Sequence, residues 1–118
     1  MDSKENATFL NNENIKSQMR KGILEYCILC ILKKGDSYVS PMIAQLKKAQ
    51  MIVVEGTLYP LLTRLKNQGY LSYRWEESPS GPPRKYYSLT QKGIECLEIM
   101  NREWEEVVKT VETIKRGI

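Results

Sequence analysis

No histidine occurs anywhere in the chain. That removes the side chain most used as a general base near neutral pH, and with it the commonest metal ligand. Cysteine is scarce and odd in number, three in all, which argues against a disulfide framework and for a reducing, cytoplasmic setting. Cys27 and Cys30 stand in "CILC" with no second pair to complete a four-ligand zinc site. Their apolar surroundings read as buried structural thiols. No glycine-rich phosphate loop follows a strand. No apolar run approaches the roughly 18 residues of a membrane span, and no charged-then-apolar leader opens the chain. Repeats and low-complexity tracts are absent as well. No catalytic residue, metal, cofactor or membrane partner is expected, and an enzyme is the remotest function class.

What the chain has is a basic middle. Its 118 residues make one domain with a modest core. The formal net charge is +4, but residues 1–15 carry −2, residues 16–89 carry +7 and residues 90–118 carry −1. A basic segment beside near-neutral ones points to an anionic partner, nucleic acid first.

Residues 1–14, "MDSKENATFLNNEN", are polar and Asn-rich and read as a mobile arm. From about Ile15 to Lys34 the residues Met19, Ile23, Leu24, Cys27, Ile28, Ile31 and Leu32 keep a helical period, closed by Gly35. Ser40-Pro41 is an N-cap followed by proline at N1, which opens a second helix over about 41–49. In "EGTLYPLLTRLKNQG" the residues Leu58, Leu61, Leu62 and Leu65 form an apolar stripe. Thr57 as N-cap would place Pro60 where no backbone donor is missed, giving a helix over 57–68. "YLSYRWEE" and "RKYYSLT", joined by "SPSGPP", alternate with period two and predict a β-hairpin over 70–89. Tyr86 and Tyr87 there read as strand packing. Thr90 caps a last helix, in which Leu97, Met100, Trp104, Val107, Val111, Ile114 and Ile118 step by three and four. So long a stripe exceeds what the small domain can cover. It calls for a partner helix from a second copy, the alternative being a fold-back on helix one.

Three helices and then a hairpin is the order of a winged helix-turn-helix, here mainly α with a small β-hairpin (α+β) plus a C-terminal dimerisation helix. The divisions are an arm (1–14), a DNA-binding domain (15–89) and the dimerisation helix (90–118). In that design the third helix enters the major groove and the hairpin reaches along the backbone. Tyr59, Thr63, Arg64 and Asn67 supply donors and acceptors on the face opposite the leucines. Arg84 and Lys85, with Arg74, supply cations for phosphates. The competing reading is a winged-helix protein-interaction module without sequence-specific DNA binding.

Three stretches carry a resemblance. "MRKGILEYCILCILKKGDSYV", "EGTLYPLLTRLKNQGYL" and "GPPRKYYSLTQKG" together resemble the PadR family of bacterial transcriptional regulators, in order and spacing, over about residues 15–115. The resemblance implies a homodimeric winged-helix repressor of an operator, dimerising through its C-terminal helix and releasing DNA when a small effector binds. It places Thr57, Tyr59, Thr63 and Arg64 on the DNA-facing helix and Arg84 and Lys85 on the wing. The short C-terminal helix resembles the compact members. Trp104 falls where their multidrug-binding representatives stack flat aromatic or hydrophobic ligands, with Met100 beside it. Pro41 departs from the family, which tends to have glycine there.

Overall fold

Mainly helical with one β-hairpin, the computed structural model describes residues 12–117. In order it has α1 (Asn12–Arg20), α2 (Ile23–Lys34), α3 (Val39–Lys48), α4 (Glu55–Asn67), β1 (Leu71–Ser78), β2 (Gly81–Leu89) and α5 (Gln91–Lys115). Ile28, Leu29 and Leu32 of α2 meet Met42 and Leu46 of α3, Leu58, Leu62 and Leu65 of α4, Leu71 and Tyr87 of the hairpin, and Leu97 of α5. Each such aliphatic side chain contributes about 1.5–3 kcal/mol on burial. This one cluster fixes how α4 and the hairpin sit together.

The first helix expected from the sequence is two. Gly22 breaks it at φ +87, a left-handed conformation that glycine adopts without strain. The helix α1 also begins at Asn12, inside the expected arm, whose residues 1–11 lie outside the described residues. An Arg20 Nη1 bond to the Gln50 carbonyl, 2.7 Å long, ties α1 to the turn after α3.

Helix α3 starts two residues before the expected Pro41. Tyr38 is its N-cap, not Ser40, and Pro41 stands at N3, where a missing N–H has no helical partner. The early start follows from anchors before it. Ser37 and Tyr87 exchange backbone hydrogen bonds of 3.2 and 2.8 Å, and Val39 is buried.

Helix α4 spans 55–67 rather than 57–68. Val54 is the N-cap, its carbonyl accepting from Thr57 N at 3.0 Å and Leu58 N at 3.1 Å, so Thr57 is not the cap. Pro60 therefore lies inside the helix. The carbonyl it leaves without a donor belongs to Gly56, which is exposed and free to meet water. Gly69 (φ +87) ends α4 in a Schellman turn, with Gly69 N bonded to Lys66 O and Tyr70 N to Leu65 O, both at 3.0 Å.

The hairpin is longer than "SPSGPP" suggested, with only Pro79 and Ser80 left as turn. Pairing runs from Leu71↔Leu89 to Glu76↔Arg84, then slips to Ser78↔Gly81. The slip sets Pro82 and Pro83 opposite Glu77. A bulge on a two-stranded sheet tolerates prolines, because few ladder donors are required there.

Thr90 caps α5 as expected, its Oγ1 accepting from Gly93 N at 3.0 Å and donating to Gly69 O at 2.6 Å. The α5 stripe divides. Leu97 is buried in the chain's own core and Met100 is half-buried against it, so the part of the stripe left uncovered begins after them. Trp104 lies 6.3 Å from the Tyr26 ring of α2. Beyond it Val107, Val108, Val111 and Ile114 are all exposed, while Ile118 lies outside the described residues. The fold-back on the first helix accounts for the start of the stripe and leaves the rest uncovered.

Candidate nucleic-acid interface

Opposite its leucines α4 turns Thr57, Tyr59, Thr63, Arg64, Lys66 and Asn67 outward. No acidic residue occurs between Gly56 and Asn67. Arg64 differs from its neighbours because its guanidinium pairs with the Glu25 carboxylate of α2. Both partners are partly exposed, so the pair is worth less than about 1 kcal/mol. It nonetheless spends part of the Arg64 charge on holding α4 against α2.

Arg84 and Lys85, adjacent in sequence, lie on opposite faces of the hairpin, as the pleat requires. Arg84 sits 4.6 Å over the Tyr38 ring at the start of α3, beside a Tyr38–Tyr86 pair with centroids 5.2 Å apart. The same face holds Arg74, which bonds Asp36 at 2.6 Å, Glu76 at 2.9 Å through Nε and Ser88 at 3.2 Å. Hydrogen bonding to Asp36, from Arg74 first and Ser88 next, holds its carboxyl below the usual range. Arg74 is accordingly committed to two acids, and the expectation that it serves phosphates finds a cation already neutralised.

Lys85 faces the other way, 4.0 Å from the Tyr73 ring and 5.8 Å from Trp75. Lys66 of α4 reaches the same Tyr73 ring at 5.6 Å. Tyr87 behind them is buried, and burial first, then the nearby Tyr59 and Tyr73 hydroxyls, push its pKa up. Tyr86 and Tyr87 both pack, as expected. The structure thus joins Tyr59, Lys66, Tyr73, Trp75 and Lys85 into one surface across α4 and the wing, and leaves Arg84 off it.

Sequence reasoning missed a second basic feature. A cleft of about 880 Å³ beside Thr57 is lined by Lys16, Arg20, Lys21 and Lys47, with Ile52 and Val54 on its wall and no carboxylate among the described residues of its lining. The +7 charge of residues 16–89 was the available signal, but cations from α1 and α3 meet only through the fold. Cys27 and Cys30 are half-buried, and burial raises both thiol pKa values, as suits structural cysteines. Among the described residues no acidic or cysteine cluster fits a metal ion, and no helix is long and apolar enough to cross a membrane.

A family model described as "Transcriptional regulator PadR-like family" matches residues 28–99. The chain belongs to the PadR-like family. Among solved structures, a PadR-like transcription factor from Bacteroides fragilis is 59% identical, covering 86% of this chain and 98% of its own, with a TM-score of 0.73. A PadR-like regulator from Bacillus cereus is 39% identical over 86% of this chain and 100% of its own, TM-score 0.77. PadR of Bacillus subtilis, solved in complex with operator DNA, is 24% identical over 67% of this chain and 45% of its own. Its TM-score of 0.62 is a likeness of fold. The PadR-like chain is thus a transcriptional regulator and not an enzyme.

Proposed function

We propose that this PadR-like chain is a cytoplasmic homodimeric repressor that reads a double-stranded operator with α4 and the hairpin, and leaves it when a small hydrophobic or aromatic effector enters the dimer interface. The observation that carries the DNA reading is the outward face of α4 from Gly56 to Asn67, where the first-turn Glu55 is followed by no further acid. Its Thr57, Tyr59 and Thr63 hydroxyls make no side-chain hydrogen bond among the described residues, and Lys66 and Lys85 flank them. Hydroxyl and amide groups on such a helix read base edges, while cations beside it hold phosphates. The basic cleft next to Thr57 adds to the positive field. The relative solved with operator DNA supports the same reading.

The exposed seam of Val107, Val111 and Ile114 supports pairing with a second copy, and Trp104 with Met100 lies where that seam meets α2. In the dimer, two copies of α4 would enter major grooves about 34 Å apart. An effector preferring a different spacing would shift the population away from the DNA-bound form. The test is duplex binding across a range of salt concentrations. Affinity falls steeply with salt, and an R84A/K85A chain loses roughly 0.9 of log–log slope for each phosphate contact removed. A flat salt response in the wild type would favour a protein-interaction module.

A further inference from the structure

Trp75 is 62% exposed in the middle of β1, although so large an apolar side chain ordinarily lies mostly inside. It belongs neither to the core cluster nor to the α5 seam. Its cross-strand partner is Lys85, and it shares a face of the hairpin with Tyr73 and Tyr87. That is the face Lys66 of α4 approaches, so the indole carries the α4 surface outward along the wing. Glu76 points to the opposite face, where Arg74 holds it. Glu77 stands at the bulge, where regular alternation ends.

We propose that Trp75 is a DNA-contact residue of the wing, packing its indole on deoxyribose and base edges in the groove flanking the one that α4 enters. The inference rests on the operator reading proposed above. Lys85, 5.8 Å from the indole, is placed to hold the adjoining phosphate. Apolar side chains set beside cations are a recurring means of filling a groove that phosphates wall on both sides. Covering an indole adds affinity that releases no counterion, whereas a lysine on a phosphate does release one. The two neighbours therefore leave different marks on the salt dependence.

The probe is a duplex enriched by the wild-type protein from a random-sequence pool. The W75A chain binds it about tenfold more weakly for each subunit engaged, at every salt concentration and with unchanged slope. W75F recovers most of the affinity, while K85A flattens the slope by about 0.9 per contact. Far-UV circular dichroism of W75A matches the wild type, since the side chain is outside the core. Equal binding by W75A and wild type overturns the proposal, and so does a loss accompanied by a flattened slope, because Trp75 would then act only by holding Lys85. A wild type that enriches no duplex overturns the operator reading itself, and this contact with it.

Discussion

Replacing Gly93 with alanine should damage the fold at one joint. Glycine in a helix ordinarily gains about 1 kcal/mol on becoming alanine. Here the added Cβ would overlap the Tyr70 carbonyl oxygen and lie 3.1 Å from Leu89 Cδ2. The obstructing atom is backbone, and it already accepts from Thr90 N at 3.1 Å, so it cannot turn aside without losing that bond. Relief requires the first turn of α5 to lift from the hairpin. The lift costs the Thr90–Tyr70 bond, about 1 kcal/mol, and the Thr90 cap, about 1 kcal/mol. Residual overpacking adds about 1–3 kcal/mol. Against the propensity gain, the net loss is about 2–4 kcal/mol, and at about 4 °C per kcal/mol for a chain of this size the midpoint falls about 8–16 °C. The assay is urea and thermal unfolding by circular dichroism at one fixed protein concentration, since association raises apparent stability. Gly56→Ala is the control. Nothing lies within 4 Å of its added Cβ, so it should be neutral or up to about 1 kcal/mol more stable. A G93A chain within about 0.5 kcal/mol of wild type would refute the account of this joint.

Two further expectations can be measured directly. The depressed Asp36 pKa means its bond to Arg74 stabilises the fold fully above the ordinary carboxylate value, about 3.9, and is lost as pH falls through the lower folded value. Urea midpoints of wild type and D36N should differ at pH 7, by less than about 1 kcal/mol for so exposed a pair, and converge in acid; a gap independent of pH contradicts this. The proposed dimer predicts that a V107E/V111E chain sediments as a monomer at concentrations where the wild type pairs, with unchanged helicity because both side chains are exposed in the single chain. A dimer of undiminished affinity would move the interface elsewhere.

The order of elements was legible because each had a local signature. The leucine period named α4, the two-residue alternation named the hairpin, and Thr90 named the start of α5. Boundaries failed where a distant contact decided them. Tyr38 and Val39 open α3 because Ser37 is pinned to Tyr87, fifty residues away in the chain. The break at Gly22 was hidden because a helical period can continue across a single left-handed glycine. Among site residues, Thr57, Tyr59 and Thr63 lie together on the outward face of α4 as read. The pairing of Arg64 with Glu25 is invisible in the sequence because Glu25 lies on another helix. Arg84 and Lys85 fall on opposite faces of the hairpin, as strand alternation sets adjacent side chains. That separation was available in the sequence. The grouping of Lys16, Arg20, Lys21 and Lys47 required the packing of α1 on the turn after α3.

The Thr90 hydroxyl ends the last turn of α4 and begins the first turn of α5, bonding Gly69 O and Gly93 N at once. Since β1 leaves and β2 returns beside that hydroxyl, the hairpin is a detour and not a link in the mechanical path from one helix to the other. Residues could be added or removed at the Pro79-Ser80 tip without altering the angle between α4 and α5. In the proposed dimer, wing length and the spacing of the two α4 helices are thereby separately adjustable.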